Sequence, residues 1–221
     1  MRAIEFINNL IPPLKFTDKV KLGLSWMEEI RTDILPVVDK GAFKGFITDE
    51  IIYELNDPEL NIEYIDLIGT ASIVQEDRHI YEVLRVSSEN QVSMVAVLDK
   101  ELKYLGVVTQ EGAISAFTES ISIQSQGGVL ILSMFMTDYS LYDIARVVES
   151  ENAKILSSFI SDDPLDDSKI KVTLKIDQVE LRHIKATLER FGYRVIDQYQ
   201  EEDGISSDQD RLGNLMRFLD I

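Results

Sequence analysis

The chain has 221 residues, of which 45% are hydrophobic and 28% are charged, values typical of a globular protein rather than of a disordered one. Its net charge is −17 and is spread over the chain, because residues 1–120 carry 11 basic against 21 acidic side chains and the remainder carries 11 against 18. An evenly acidic chain repels phosphate backbones, so nucleic-acid binding is not expected, and the absence of cysteine excludes disulfides, thiol catalysis and zinc–thiolate sites.

The amino-terminal segment is predicted to be part of the folded domain. Residues 1–8 lack the long apolar core of a secretory signal, and residues 3–10 are predicted to form a short helix ended by Pro12 and Pro13. No run approaches the roughly 18 apolar residues that a membrane helix needs. We therefore expect a soluble, cytoplasmic protein with no membrane partner.

A helix and a strand hairpin are predicted next. Thr17 is predicted to cap a helix that carries Val20, Leu24 and Met27 on one face and ends at Met27. Residues 35–48 then contain two apolar β-rich runs around a charged Asp-Lys bend, which predicts a hairpin. Another helix is predicted from Thr48 to about residue 55.

The same pattern occurs a second time. A short amphipathic helix around Ile80, Val83 and Leu84 precedes residues 95–109, which again form an apolar run, an Asp-Lys bend and a second run ended by Thr. Asp39 and Asp99 are 60 positions apart, whereas Gly45 and Gly106 are 61 apart, so one residue is inserted in the second bend. A matching helix is predicted over residues 110–117. A repeated unit of this kind has half a core and must pack against its twin.

These residues resemble a CBS motif: Pro12-Pro13 before the first helix, the run Leu-Pro-Val-Val-Asp at 35–39, and Gly-Phe-Ile-Thr at 45–48. Two motifs in tandem resemble a CBS pair, or Bateman module. The resemblance covers residues 1–120, with repeat one at about 1–60 and repeat two at about 61–120. It implies a regulatory module with no catalytic residue.

The resemblance also implies a ligand site. In the family, adenosine nucleotides bind between the repeats, a Thr or Ser contacts the phosphate, and an Asp three residues later holds the ribose hydroxyls. Thr48 and Thr109 match the first position, but the Asp positions hold Ile51 and Gly112. Candidate substitutes and further contacts are Asp49 and Gln110 for the ribose, Ile11 and Ile73 for the base, and Arg78 with His79 for the phosphate. The alternative is that both threonines only cap helices and that the cleft holds no ligand.

The pattern changes after a small, polar boundary segment at 120–128. A strand at 129–136, a helix capped by Ser140, strands at 154–160 and 169–176, a helix started by a capping box of Asp177 and Glu180, and a strand at 193–199 are predicted. The first helix is predicted to carry one apolar stripe of Leu141, Ile144, Ala145 and Val148, and the second to bear Leu181, Ile184, Leu188 and Phe191. This β-α-β-β-α-β order predicts a ferredoxin-like domain at 128–199 and makes the whole chain α+β.

This domain resembles an ACT domain, a regulatory module that commonly dimerises and holds small ligands, often amino acids, at the dimer interface. The family's first turn reads Asp-x-Pro-Gly, and this chain has Asp138, Tyr139 and Ser140 followed by Leu141. The Asp matches, whereas the Gly that lets a backbone approach a ligand is missing. A CBS pair followed by an ACT domain also resembles the accessory proteins named for acetoin utilisation.

The last segment is predicted to have two parts. Residues 200–210 form an acidic linker, and residues 211–221 form a short amphipathic helix that needs a docking surface. The docking surface is expected on a partner protomer or on the seam between the two domains.

Other chemistry is weakly supported by the sequence. His79 and His183 have no convergent ligands, so no metal is expected at either, and the four carboxylates of residues 162–167 fit a solvated hairpin better than a cation site. No phosphate loop or nucleophile elbow is present. We therefore expect a non-catalytic homodimer with no cofactor that senses an adenosine nucleotide on behalf of an unknown protein target. The alternative is a ligand-free dimerisation scaffold.

Overall fold

The computed structural model describes residues 1–55, 57–119 and 121–200, with the side chains of all but 121 and 122. The chain divides into two compact units, Met1–Glu119 and Ser120–Ile221. Both combine helices with β-sheets, so the protein has an α+β fold. No helix among the described residues is long and apolar enough to cross a membrane. The tail predicted at 200–221, with its linker and helix, lies outside the described residues except for residue 200.

The first unit contains two helix–hairpin–helix repeats. Its helices and strands, in chain order, are α1 (Val20–Ile30), β1 (Ile34–Asp39), β2 (Ala42–Thr48), α2 (Asp49–Leu55), β3 (Ile73–Gln75), α3 (Ile80–Asn90), β4 (Met94–Leu98), β5 (Tyr104–Thr109) and α4 (Gln110–Thr118). A 3-10 turn at Ala3–Phe6 precedes them.

The two repeats have the same backbone features at equivalent positions. Each hairpin is antiparallel and has a register shift at the same place, between Val37 and Val38 in one and between Val97 and Leu98 in the other. Helices α1 and α3 both end in a left-handed residue, Arg31 at φ 56° and Gln91 at φ 53°. The repeat predicted from the sequence is therefore confirmed in the backbone.

A segment of each repeat forms backbone hydrogen bonds with the hairpin of the other. Before α1 the chain reaches the second hairpin, where the Asn8 N–H donates to the Val107 carbonyl at 2.8 Å. Before β3 it reaches the first hairpin, where Phe46 and Ile68 exchange two backbone hydrogen bonds of 2.8 and 2.9 Å. Both crossings pass close above a glycine, Gly106 and Gly45 respectively. The two repeats are therefore interlocked rather than merely adjacent.

The interior of the first unit is shared between its repeats. One apolar cluster is centred on repeat two but includes Ala3, and another is centred on repeat one but includes Ile62 and Ile65. A third, the shared cluster, draws on both repeats about equally: Ile34, Phe46, Val92, Met94, Ala96 and Val107. Phe46 and Val107 are fully buried. Burial of this kind is worth about 25 cal/mol per Å² of apolar surface. The shared cluster therefore links the two repeats energetically.

Three predictions about helix ends in this unit are wrong. The helix predicted at 3–10 is a single 3-10 turn over Ala3–Phe6. Thr17 does not cap α1, because the helix starts only at Val20 and its N-cap is Lys19, without a side-chain hydrogen bond. The neighbouring Asp18 carboxylate accepts the Lys15 N–H at 2.8 Å. Helix α1 also continues past Met27 to Ile30.

The second unit begins with a short helix, α5 (Ile121–Gln124), and continues as a β-α-β-β-α-β unit. The elements of that unit are β6 (Gly128–Phe135), α6 (Leu141–Ser150), β7 (Ile155–Asp162), β8 (Lys169–Ile176), α7 (Arg182–Arg190) and β9 (Arg194–Tyr199). The strands form one antiparallel sheet in the order β7-β8-β6-β9, so the ferredoxin-like topology is confirmed.

One face of this sheet packs against the two helices. The buried residues alternate along β8 as Ile170, Val172, Leu174 and Ile176, and they join Leu130 and Leu132 of β6 in a single apolar cluster with both helices. The other face presents the intervening residues. This alternation follows from the period of two in a strand.

Two predictions about the helices of this unit need correction. Ser140 caps α6 as predicted, but Leu141 is exposed and Val147 is buried beside Ile144 and Val148. The capping box predicted at Asp177 is absent, because the Asp177 carboxylate accepts the Lys154 N–H at 2.7 Å instead. Helix α7 starts at Arg182 after an uncapped Leu181, and Phe191 lies exposed beyond its end.

Candidate functional site

A groove lies between the repeats of the first unit, where β5 passes into α4. Its volume is about 910 Å³. It is lined by the segment before repeat one, by the end of α1 and by the starts of β4 and α4: Asn8, Leu10, Ile11, Glu29, Ile30, Arg31, Thr32, Asp33, Ser93, Met94, Thr109, Gln110 and Glu111. Three of the predicted ligand residues, Ile11, Thr109 and Gln110, therefore meet in one place.

Thr109 is fixed at the floor of this groove. Its hydroxyl oxygen accepts the Gly112 N–H at 3.0 Å and so caps α4. The neighbouring Gln110 N–H donates to the Ser93 carbonyl at 2.8 Å, which holds the helix start against β4. The Thr109 hydroxyl proton has no acceptor among the described residues. This proton is therefore available to an added hydrogen-bond acceptor. It lies beside the N-terminus of α4, and a helix N-terminus favours anions.

Thr48 has the same local geometry at the other end of the pair. Its hydroxyl accepts the Ile51 N–H at 3.3 Å, and the Asp49 N–H donates to the Asp33 carbonyl at 2.9 Å. Neither Thr48 nor Asp49 lines the groove described above. Both threonines are thus helix caps, and only Thr109 opens on to this groove.

Two lining residues were missed by the sequence reasoning. Arg31 and Asp33 come from repeat one, at the end of α1 and just before β1, and both are exposed. A carboxylate accepts hydrogen bonds from two vicinal hydroxyls, so Asp33 offers the ribose contact that Gly112 cannot make. The sequence does contain a signal for them. The 60-residue offset between the repeats pairs Asp33 with Ser93, so these two segments are expected at equivalent positions.

Arg78 and Ile73 are not brought into the groove. The Arg78 guanidinium lies 3.9 Å from the Glu82 carboxylate, and its backbone carbonyl accepts the Ala3 N–H at 2.8 Å. The imidazole Nδ1 of His79 accepts the Tyr81 N–H at 3.2 Å and thereby caps α3. Ile73 starts β3 and is exposed. In the structure the cation at this groove is Arg31.

The charges around the groove are mostly negative. Glu29, Asp33 and Glu111 supply three carboxylates, against the single guanidinium of Arg31. All four side chains belong to exposed residues, so water and salt weaken their fields. This balance disfavours a ligand with many negative charges.

Comparison with known proteins gives resemblances to solved structures. No family model matches the chain. A CBS domain pair and ACT domain protein from Thermotoga maritima is 23% identical at a TM-score of 0.49, over 54% of this chain and 98% of that one. The CBS domains of a transcriptional regulator from Streptococcus pneumoniae are 21% identical at a TM-score of 0.46, over 52% of this chain and 98% of that one. The protein CBSX2, solved in complex with AMP, is 16% identical at a TM-score of 0.46, over 53% of this chain and 96% of that one.

The predicted ACT turn of the second unit is occupied by structural contacts. The Ser140 hydroxyl accepts the Asp143 N–H at 3.3 Å and caps α6, and Tyr139 packs half-buried against the core. Asp138 is exposed at the end of a 3-10 turn and lines a hollow of about 440 Å³ with Phe135 and Tyr193. Of the three residues, only Asp138 faces space that a ligand could fill.

The acidic hairpin between β7 and β8 is held by lysines. The Asp166 carboxylate lies 2.6 Å from the Lys169 ammonium, and the pKa of Asp166 is lowered to about 2, chiefly by this hydrogen bond and then by those from Ser168. Asp163 lies 3.5 Å from Lys171. Among the described residues, no group of three His, Asp or Glu side chains has the arrangement of a metal site.

Proposed function

We propose that the first unit is a CBS pair and that it acts as a regulatory sensor, with one adenosine nucleotide bound in the groove between its repeats. The observation that carries this proposal is the set of groups around Thr109. A hydroxyl that is free to donate, a helix start, the Arg31 guanidinium and the Asp33 carboxylate all border one groove of about 910 Å³. These are the groups that a phosphate and a ribose need.

Each part of the nucleotide has a partner in this arrangement. The phosphate accepts from the Thr109 hydroxyl and from Arg31, the ribose hydroxyls donate to Asp33, and the base lies against Ile11 and Met94. Because three carboxylates border the groove, a nucleotide with one phosphate is favoured over one with three. We therefore expect AMP to bind more tightly than ATP.

Ligand binding becomes regulation when two conformations of the pair differ in affinity. A ligand shifts such an equilibrium only by its differential affinity for the two states. The proposed output is a homodimer whose ACT-like second unit and tail pass the change to a protein target. This sensor has no catalytic step, and no enzyme activity is predicted.

The first experiment is thermal unfolding of the full chain with adenosine, AMP, ATP and S-adenosylmethionine. At about 100 times its dissociation constant a ligand stabilises by about 2.7 kcal/mol, which raises Tm by several degrees. We expect the largest shift with AMP. Arg31→Gln should lower the affinity for AMP about tenfold or more and leave adenosine unchanged, because it removes a charge-assisted hydrogen bond to phosphate.

Arg78→Gln is the matched control, since this arginine lies outside the groove and was the phosphate partner predicted from sequence. It should leave the AMP response unchanged. If Arg78→Gln weakens AMP and Arg31→Gln does not, the phosphate binds at α3 instead. If none of the four compounds changes Tm, the sensor proposal fails.

The second candidate function is a dimerisation scaffold, and one observation favours it. Tyr53 of α2 and Ile114 of α4 occupy equivalent positions in the two repeats, and they are 64% and 53% exposed. Exposed apolar groups at equivalent positions of the two repeats allow each to meet its counterpart in a second copy, as a twofold contact requires. A sensor and a scaffold can share this contact.

The scaffold is tested by oligomeric state. Light scattering after gel filtration should give a dimer for the unmodified chain and a monomer for the double variant Tyr53→Glu with Ile114→Glu. The control pair Tyr64→Glu with Tyr81→Glu changes exposed aromatics elsewhere on the unit and should stay dimeric. A monomeric unmodified chain, or a double variant that remains dimeric, would exclude this surface.

A further inference from the structure

The open face of the second unit's sheet carries a cationic row with a serine at its centre. Ser133 of β6 is directly opposite Lys171 of β8 on one side and directly opposite Arg194 of β9 on the other. Adjacent strands lie about 4.8 Å apart, so the two cations flank the hydroxyl within one strand spacing each. Such a concentration of positive charge is unusual in a chain of net charge −17.

Ser133 differs in polarity from the other residues of β6 on the same face of the sheet. The other residues of β6 on this face, Val129, Ile131 and Phe135, are apolar. Ser133 is 7% exposed and donates no side-chain hydrogen bond to any described residue. Its hydroxyl proton is therefore available to an added acceptor.

One of the three cations near Ser133 has no carboxylate partner among the described residues. Lys171 lies 3.5 Å from Asp163, and Lys169 lies 2.6 Å from Asp166, so each lysine is matched by a carboxylate. Arg194 has no acidic partner in the part of the chain that the structure describes. The lining of the hollow around Ser133 therefore has a net charge of +1, with Asp138 as a further carboxylate in the adjoining hollow. This balance favours a singly charged anion over a doubly charged phosphate.

These groups border a hollow of about 320 Å³ whose other walls include the side chains of Leu165 and Ile196. Lys169 and Lys171 are each about three-quarters buried, at 27% and 26% side-chain exposure, so they are held in place before a ligand arrives. A planar guanidinium binds a carboxylate through two parallel hydrogen bonds. The apolar walls suit a short hydrocarbon part.

We propose that this hollow binds a carboxylate group, with Arg194 donating two hydrogen bonds, Ser133 donating a third and Lys171 completing the charge. The carboxylate belongs either to a small organic acid or to the chain's own acidic segment, in which Glu201, Glu202 and Asp203 closely follow the end of β9. The site is independent of the groove in the first unit. Of the predicted ACT-turn residues, Asp138 lines the adjoining hollow with Ser133 and Arg194, whereas Tyr139 and Ser140 line neither hollow.

The test uses the isotope-labelled full chain and sodium propionate, with sodium chloride adjusted to hold ionic strength constant. The Nε–H signal of Arg194 and the backbone amide of Ser133 should move and saturate with a dissociation constant on the order of 1 mM, an ordinary value for one small anion. Arg194→Gln should weaken the response of Ser133 about tenfold or more. Arg146→Gln, on α6 of the same unit, is the charge-matched control and should leave it unchanged.

A second variant identifies the source of the carboxylate. In the full chain with Glu201→Gln, Glu202→Gln and Asp203→Asn, an unchanged Arg194 signal and unchanged propionate affinity assign the site to a free organic acid. A moved Arg194 signal together with tighter propionate binding assigns it to the chain's own segment. The proposal is overturned if propionate and these substitutions both leave Arg194 and Ser133 unmoved, or if Arg146→Gln weakens the response as much as Arg194→Gln does.

Discussion

The two repeats of the first unit share their backbone but differ in the side chains that each brings to the other. The Asp33 and Ser93 carbonyls accept equivalent amide hydrogen bonds, of 2.9 and 2.8 Å, from the helix that follows each hairpin. At Thr109, repeat one supplies Arg31 and Asp33 to the groove. The twofold equivalents at Thr48 are Gln91 and Ser93, which carry no charge.

This difference shows how a duplicated fold can keep its shape while the groups proposed to bind a ligand lie at only one of its two ends. Backbone hydrogen bonds and the left-handed caps at Arg31 and Gln91 do not depend on the side chain beyond Cα, so the fold tolerates divergence there. The ligand chemistry depends on those same side chains. The fold is therefore symmetric and the proposed site is not.

The largest expected effect comes from the two glycines under the crossing segments. A Cβ at Gly45 would lie 2.8 Å from Leu67 Cβ and 2.9 Å from the Ile68 carbonyl oxygen, at a φ of 143° that side chains rarely adopt. At Gly106 a Cβ would lie 2.4 Å from Cγ2 of Ile7, the end of a movable side chain. We expect Gly45→Ala to lower the free energy of unfolding by about 2–4 kcal/mol and Gly106→Ala by about 1–2 kcal/mol, as measured by urea denaturation.

Gly192→Ala is the control for these two substitutions. Its φ of 91° is also in the left-handed region, but a Cβ there would meet nothing within 4 Å. It therefore measures backbone strain without a clash, and about 1 kcal/mol is expected. An equal cost at all three glycines would mean that the crossing segments do not press on the hairpins as described.

The next prediction separates the two threonine caps. Thr48→Val and Thr109→Val each remove a helix cap, so each should lower the free energy of unfolding by about 1 kcal/mol. Only Thr109→Val should also reduce the Tm shift given by AMP, because only Thr109 borders the groove. Retention of the AMP shift in Thr109→Val, with its loss in Thr48→Val, would place the ligand at the other end of the pair.

The sequence predicts most of the fold and about half of the candidate site. Internal repetition locates the two hairpins, and the period of the apolar residues locates the β-α-β-β-α-β order. Both signals are present in the order of the residues alone. Caps were harder to predict because a polar side chain near a helix start can accept a hydrogen bond from a different backbone N–H. Asp177, expected in a capping box, accepts the Lys154 N–H, and Asp18, beside the expected cap Thr17, accepts the Lys15 N–H.

The site residues that sequence reasoning missed belong to the other repeat. Thr109 and Gln110 could be found from a motif, because they are adjacent in the chain. Arg31 and Asp33 lie far from them in sequence and reach them only through the interlocked hairpins. Cross-repeat contacts of this kind depend on how the two units pack, which the sequence of one repeat does not contain.

The smallest expected effect concerns an aromatic pair on the axis between the repeats. Phe43 and Tyr104 are equivalent residues whose rings stack at 6.3 Å, and the buried Tyr104 hydroxyl has no hydrogen-bond partner in the described chain. Tyr104→Phe should therefore leave the free energy of unfolding unchanged or raise it by up to about 1 kcal/mol. Phe43→Tyr is the reverse control and should cost about 1–3 kcal/mol, because it adds a second buried hydroxyl.

The same pair predicts a pH dependence with a definite sign. Burial raises the pKa of Tyr104, so the folded chain holds this phenol neutral where the unfolded chain would ionise it. The stability that the raised Tyr104 pKa contributes to the folded chain is fully present below the unfolded pKa of about 10 and is lost as the pH rises above it. Urea denaturation at pH 8 and at pH 10.5 should show the advantage of Tyr104→Phe growing with pH. An advantage that stays constant would mean that water reaches the Tyr104 hydroxyl, and that the axis between the repeats is less tightly closed than the stacked rings indicate.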